Sequence, residues 1–163
     1  MFNNREGQTV PQVTFRTRCN HEWVDVTTDE VFKGKTVVVF SLPGAFTPTC
    51  SKAHLPGFLI YHDEIKATGV DTIACLAVND AWVMNAWARD QQVGDKILML
   101  ADGNGDFTDK TGLGIDRSES FMGRRSQRYA MIVEDGVVTH LNVEVAPNFE
   151  VSDTQTILAL LTD

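Results

Sequence analysis

Two short runs, TVVVFSL at 36–42 and TIACLAV at 72–78, constrain this chain more than any other feature. Each is continuously apolar and rich in β-branched side chains, and each is too short for a buried helix. A strand reads this way when both of its faces are covered, as in a parallel sheet flanked by helices. Helical segments lie between and after the two runs. FLIYHDEIKATG at 58–69 is amphipathic and ends on Gly69, and DAWVMNAWARDQQVG at 80–94 opens on a polar cap and closes near Gly94. KILML at 96–100 follows as a third strand.

Alternating segments flank this core. QVTFRT at 12–17 and EWVDV at 22–26 read as an N-terminal hairpin, and TDEVFKGK at 28–35 as a short capped helix. Beyond a glycine-rich loop at 102–114, QRYAMIVEDGVVTHLNVE at 127–144 is two alternating runs joined by Asp135-Gly136, a hairpin signal. SDTQTILALL at 152–161 is a closing helix with Ser152 as its N-cap. The order β-α-β-α-β followed by β-β-α describes an α/β domain of thioredoxin-like fold: a central mixed β-sheet flanked by helices, with an N-terminal β-hairpin extension. Residues 1–163 read as that single domain, long enough to bury a full core without disulfide or metal staples.

Charge and cysteine usage narrow the function. With 22 acidic against 14 basic side chains, the formal net charge of -8 repels phosphate backbones and sets nucleic acid aside as a partner. The first ten residues, MFNNREGQTV, lack the basic and apolar regions of a secretory signal. No apolar run approaches the ~20 residues of a membrane-spanning helix, so a cytoplasmic, membrane-free protein is expected. The cysteines, at 19, 50 and 75, fit no disulfide framework and no CxxC metal pair, which points to reduced thiols.

Cys50 stands apart from the other two. It sits in PGAFTPTCSKAHLPGF at 43–58, a turn crowded with backbone-shaping residues. Pro48 suits the first position of a helix and Thr47 is a competent N-cap, so Cys50 falls in a first turn, where the helix dipole and free N–H groups favour a thiolate. Pro56-Gly57 is expected to break or kink this helix and leave Cys50 on a short turn able to unwind by itself. Taken singly, Thr47 could be only a cap, Pro43 only a strand end and Cys50 only a small apolar residue.

Together, the spacing Pro43-xxx-Thr47-xx-Cys50 directly after a core strand resembles the active-site loop of the peroxiredoxins, and the longer string resembles their type-V branch. The similarity continues through IACLAVNDAWVMNAW at 73–87, MLADGNGDFTDKTGL at 99–113 and GRRSQRYAMIVEDGVV at 123–138. The resemblance implies a thiol-dependent peroxidase that reduces hydrogen peroxide and small organic hydroperoxides through a Cys50 sulfenic acid, with no metal or prosthetic group and as a homodimer. It implies Cys50 as the attacking thiolate, Thr47 as a hydroxyl that hydrogen-bonds peroxide and thiolate, Pro43 as a shield over the thiolate, and Arg128 as the arginine of the far strand. The residues support Arg128 independently. In RYAMIV at 128–133 its period-2 face also holds Ala130 and Ile132, and a guanidinium aimed at an apolar sheet face needs an anionic partner such as a thiolate.

Other candidates read more blandly. Arg124 and Arg125 are surface or supporting residues, although Arg125 also matches a recurrent arginine of the branch. His54, four residues after Cys50, invites a Cys-His protease pairing, but such a histidine normally lies far away in sequence, and His54 is expected to support the loop. The glycines of 102–114 lack the spacing and lysine of a phosphate loop. Asp102, Asp106 and Asp109 lack the terminal glutamate of a calcium hand, so a solvated acidic loop is expected there. Trp82, Met84 and Trp87 read as helix packing, with some of them at a dimer contact.

The remaining cysteines bear on recycling, because a sulfenic acid must be reduced by a thiol of the same chain or by an outside one. Cys75 lies mid-strand and reads as packed and inert, and Cys19, at a hairpin tip, carries no resolving signature. The region 141–161, where two-cysteine members of the branch carry their resolving thiol, contains none. The chain therefore resembles the bacterial glutathione- and glutaredoxin-linked members, without the glutaredoxin domain fused to some of them, and glutathione or glutaredoxin is the expected reductant. Thioredoxin-dependent recycling is the alternative for the same peroxidase. A thiol-disulfide oxidoreductase is disfavoured by the missing CxxC, and a non-catalytic thioredoxin-like binding module is the alternative of another class.

Overall fold

The computed structural model describes residues 5–163; the reading of the first ten residues falls partly on residues 1–4, outside them. The strands are β1 (Thr14–Cys19), β2 (Glu22–Thr27), β3 (Thr36–Ser41), β4 (Thr72–Ala77), β5 (Leu98–Ala101), β6 (Gly114–Asp116), β7 (Arg124–Ser126), β8 (Tyr129–Glu134) and β9 (Val137–Val143). Seven of them form one mixed sheet in the order β2-β1-β5-β4-β3-β8-β9, while β6 and β7 pair as a small separate ribbon. The two constraining runs become β3 and β4, parallel neighbours in the interior of that sheet.

The reason for their unbroken apolar sequence is visible in the packing. Val38 and Phe40 enter one core with Ile73, Cys75, Ala130 and Ile132, whereas Val37 and Val39 enter the opposite core with Ala74, Leu76, Met131 and Val133. Both faces of the central strands are covered, so a polar side chain enters only with its bonds met, as Ser41 does by donating to the Leu76 carbonyl. This is the thioredoxin-like arrangement of a mixed sheet between helices. The N-terminal hairpin is more than an extension, because β1 pairs antiparallel with β5 through Arg16 and Ala101 and so enlarges the central sheet.

Helix ends follow local chemistry where a side chain is free to cap. α1 (Thr28–Phe32) starts with a capping box between Thr27 and Glu30. A π-helical turn, Cys50–His54, leads into α2 (Leu55–Ile60) and α3 (His62–Ala67). Asp80 caps α4 (Ala81–Asp90), its carboxylate accepting from the Val83 N–H. α5 spans Asp106–Thr111 and α6 spans Thr154–Thr162. No helix among the described residues is long and apolar enough to cross a membrane.

Three expectations are corrected here. Cys50 does stand on a short turn of its own, but Pro56 and Gly57 do not break the helix; they lie in the first turn of α2, and the helical run is interrupted at Tyr61, between α2 and α3. The π turn is the physical reason: Leu55 N–H reaches back to the Cys50 carbonyl, and the widened turn accommodates a proline that can neither donate to residue 52 nor sit closely over it. Gly57 serves packing, since a Cβ there would stand 2.9 Å from Thr154 Oγ1 at the start of α6. The segment 102–114 contains α5, and Asp102 is buried, accepting from the N–H groups of Phe107 and Thr108 and from the Thr108 hydroxyl. Finally, Asp153 and not Ser152 caps α6, its carboxylate accepting from Thr156 N–H, which frees Ser152 for another task.

Candidate active site

The loop after β3 carries Pro43 and Thr47 and delivers Cys50 into the interior. Several bonds fix its path. The Ala45 N–H donates to Asn79 Oδ1 at 2.9 Å, the Ser51 N–H to the Thr47 carbonyl at 3.0 Å, and Trp87 Nε1 to Ser51 Oγ at 3.0 Å, which ties α4 to the cysteine turn. At Gly44 the approach is close, since a Cβ there would stand 3.1 Å from Arg125 Nη1 and would press on that guanidinium. Arg125 in turn donates to the carbonyls of Met122 and Val78, so it braces the loop from outside. Arg124 is a surface residue paired with Asp109.

Cys50 is fully buried, yet it is not packed among apolar groups alone. Arg128, one residue before β8, donates from Nη2 to Cys50 Sγ at 3.1 Å. Its other terminal nitrogen, Nη1, is 3.0 Å from His54 Nδ1. A guanidinium can only donate, so Nδ1 must accept. The remaining nitrogen, Nε2, therefore carries the proton and donates to the Ser152 carbonyl at 3.1 Å. Burial, reinforced by the Arg128 charge, pushes the His54 pKa down to about 3, so the ring is neutral and suits the acceptor role. Phe40, Phe58 and Phe149 surround the imidazole at ring distances of 5.0, 5.8 and 4.9 Å, and Phe149 also lies under the Arg128 guanidinium.

The chain of contacts has a further end. Ser152 donates its N–H and its hydroxyl to Glu144 Oε2, each at 2.7 Å, and the N–H groups of Glu150 and Val151 bond the same carboxylate. Burial works to raise the Glu144 pKa, but the hydrogen bonds from Ser152, Glu150 and Val151 outweigh it and hold the carboxyl below its ordinary value. Glu144 thus clamps the strap 150–152, the strap orients His54, His54 orients Arg128, and Arg128 faces the sulfur. Beside this site lies a cavity of about 510 Å³ whose wall includes Pro43, Thr47, Pro48 and Arg128; Cys50 is buried behind that wall and adjoins the cavity through Arg128.

The four sequence candidates therefore meet in one place. Cys50 and Arg128 are in direct contact, and Pro43 and Thr47 stand in the cavity wall. Thr47 differs from expectation in one respect: its hydroxyl donates to the Gly44 carbonyl at 2.7 Å and caps no helix. Its lone pairs remain able to accept a hydrogen bond from a bound hydroperoxide. Glu144, Ser152 and Phe149 were not legible as site residues. Glu144 continues the polar face His140-Asn142-Glu144 of an alternating run, which reads as solvent-facing, and Ser152 looks like a cap because it directly precedes a helix start.

What the arrangement offers chemically is a buried sulfur nucleophile beside a fixed cation that itself lines an adjoining, mostly apolar cavity. A thiolate there is balanced by the guanidinium, and the same guanidinium can donate to oxygen when negative charge develops on it.

Comparison with known proteins agrees with this geometry. The redoxin family model matches residues 5–158. The hybrid peroxiredoxin hyPrx5 of Haemophilus influenzae is 49% identical over 165 residues, a match covering 98% of this chain and 67% of that protein. A peroxiredoxin of Synechocystis is 47% identical, covering 93% of this chain and 88% of its own. Among solved structures, reduced Prx3 from Vibrio vulnificus in complex with hydrogen peroxide superposes with a TM-score of 0.91 at 52% identity, covering 96% of this chain and 98% of that one. A family model over nearly the whole length, relatives near half identity and the Cys50–Arg128 contact all converge: the chain belongs to the peroxiredoxins, the thiol peroxidases of the redoxin family, in their type-V branch.

Proposed function

We propose that this peroxiredoxin works by a one-cysteine cycle on Cys50, reducing hydrogen peroxide and small organic hydroperoxides with glutathione or glutaredoxin as the reductant. The observation that carries the reading is the 3.1 Å contact from Arg128 Nη2 to Cys50 Sγ, because a half-buried guanidinium held by a neutral histidine and aimed at a buried sulfur is suited to an anion there. The hydrogen peroxide bound by the Vibrio vulnificus relative supports the same substrate here.

The cycle balances as follows. The Cys50 thiolate attacks the terminal oxygen of the hydroperoxide, an S–O bond forms, and the O–O bond breaks with its electron pair leaving on the far oxygen. That oxygen takes up a proton and departs as water or an alcohol, so the sulfur is oxidised to a sulfenic acid and the peroxide is reduced. Arg128 steadies the thiolate and then the leaving oxygen, the Thr47 hydroxyl accepts a hydrogen bond from the peroxide O–H, which stays on the oxygen that joins the sulfur, and Pro43 shields the sulfur from water. A glutathione thiolate next attacks the sulfenic sulfur and expels hydroxide, giving a mixed disulfide. A second glutathione or a glutaredoxin thiol attacks the glutathione sulfur and returns the Cys50 thiolate. Because Cys50 is fully buried, forming the mixed disulfide requires the π turn at Cys50–His54 to open.

The positions of the other thiols support an external reductant: Cys75 is buried in the interior strand β4, and Cys19 is exposed at the end of β1. The same reading takes residues 1–163 as one domain, without metal or prosthetic group, in the cytoplasm. It also takes the protein as a homodimer, in keeping with the exposed Phe46, Trp82 and Phe121. One experiment decides the central claim: peroxide treatment followed by intact and peptide mass, then turnover assays with glutathione plus glutaredoxin against thioredoxin. An oxygen adduct at Cys50 that glutathione converts to a mixed disulfide is expected. Absence of any adduct favours a non-catalytic binding module, and faster turnover with thioredoxin reassigns the donor.

A further inference from the structure

We infer that Arg117 forms a carboxylate subsite in the cavity that adjoins Cys50 through Arg128, Thr47 and Pro43, so that hydroperoxides carrying an apolar chain and a carboxylate are preferred substrates; this rests on the peroxidase reading above. The cavity, about 510 Å³, greatly exceeds the needs of hydrogen peroxide and falls in the range of about 300–1,000 Å³ typical of pockets for larger organic ligands. Its wall is largely apolar, with Pro43, Pro48, Ile115, Met122, Ala146 and Pro147 contributing. A two-oxygen substrate would use none of that surface.

Two guanidinium groups line the cavity, and they differ in what they already hold. Arg128 is committed to Cys50 and His54. Arg117, on the segment between β6 and β7, has no side-chain hydrogen bond or ion pair among the described residues. Its backbone is nonetheless pinned: the Arg117 N–H donates to the Gly123 carbonyl at 2.6 Å, and its carbonyl accepts from the N–H groups of Ser120 and Met122. The one acid in the wall, Glu144, has its carboxylate taken by the strap 150–152, so it does not serve Arg117. An uncompensated, half-buried guanidinium with a fixed backbone beside apolar surface is suited to a molecule with an anionic head and an apolar body. The carboxylate would take the planar donor fork, and the chain would displace water from the proline and aliphatic wall. The hydroperoxide group would then be reduced by Cys50 as above, with the O–O bond broken and the alcohol of the same chain released.

The test uses excess dithiothreitol as reductant, which removes the donor from the measurement. The probes are hydrogen peroxide, cumene hydroperoxide, 13-hydroperoxyoctadecadienoic acid and the methyl ester of that acid, each below its micellar concentration. For the wild type, kcat/KM on the acid should exceed that on the ester by about tenfold, the scale of one charge-assisted hydrogen-bonded pair, and the difference should lie in KM. Arg117→Gln should bring the acid-to-ester ratio to near unity, with the loss on the acid far exceeding that on hydrogen peroxide, and Arg117→Lys should retain part of the ratio. Equal rates on acid and ester in the wild type, or an equal loss on all probes in Arg117→Gln, would overturn the subsite while leaving the peroxidase reading intact. No turnover of any probe would overturn the peroxidase reading itself. A repeat with glutathione as donor separates the other carboxylate source: if Arg117→Gln changes only the KM for glutathione, the arginine serves the reductant and the inference fails.

Discussion

Cys50 and Cys75 are both fully buried and both belong to the core on the same face of the sheet, yet their chemistry diverges. Cys75 is in the middle of β4, its backbone paired to β3 on one side and β5 on the other, and its neighbours are apolar. Burial pushes its thiol well above the usual range, and the nearby Cys50 adds to the effect. Cys50 instead sits in a π turn at a helix start with a guanidinium 3.1 Å from its sulfur. Depth therefore does not decide which thiol can react. The deciding factor is a compensating cation, together with a backbone that a short helical turn, and not a sheet ladder, holds in place.

That contrast can be broken most severely at the sulfur. Cys50→Ser should retain no more than a few per cent of peroxidase activity while leaving the circular dichroism spectrum intact, because a hydroxyl is hardly ionised at neutral pH. Substantial residual turnover would show that the reacting thiol is elsewhere. Removing the cation comes next. Arg128→Gln should slow peroxide-driven oxidation by about 10²–10³-fold, the usual effect of losing a donor aimed at developing negative charge. Rapid-mixing tryptophan fluorescence would measure it, and an unchanged rate would mean that Arg128 only packs.

The supports of the cation should matter less. Glu144→Gln weakens the strap that orients His54 and is expected to cost about one hydrogen bond, ~1–1.5 kcal/mol, or about tenfold in oxidation rate. Because Glu144 acts through other residues, its signature is a lower kcat/KM for every peroxide alike, with Glu144→Asp partly restoring it. A loss on one peroxide alone would place Glu144 against substrate instead.

His54 supplies a pH test of the same chain. Its folded pKa is about 3, below the unfolded ~6.5, so the unfolded chain binds more protons between these values. Its contribution to stability is fully present above ~6.5 and is lost as pH falls toward 3, by about 2 kcal/mol between pH 6.5 and 5. Glu144, also depressed, adds a further loss at still lower pH. Urea melts at these two pH values should show a shallower pH dependence in His54→Asn, which keeps an acceptor and a donor but cannot titrate. An unaltered slope would assign the acid sensitivity to other groups. The smallest effect is expected for the thiols on the other side of the comparison: Cys19→Ser/Cys75→Ser should turn over near the wild-type rate with glutathione. A Cys50–Cys75 disulfide as the main oxidised product, by peptide mapping, would instead show that β4 opens and that Cys75 is not inert.

The parts of the site that sequence made legible are those governed by local rules. The runs at 36–42 and 72–78 carry their double-sided burial in their composition, Pro48 announces a helix start before Cys50, and the parity of Arg128 with Ala130 and Ile132 aims a cation at the apolar face. Local rules failed where a distant group competed for the same atom. Ser152 is a competent cap by composition, but Glu144 and His54 claim its donors and carbonyl, and Asp153 caps the helix in its place. Pro56 is a breaker in isolation, but the π turn before it gives its ring room. The contacts that make Cys50 a site join residues 78 and 98 positions apart in the chain, Arg128 to Cys50 and His54 to Ser152. Sequence periodicity reports which way a side chain faces relative to its own strand or helix. Only the packing of β8, the π turn and the strap into one core decides which side chains meet there, because those distances depend on how separate elements are docked and not on the preferences of either.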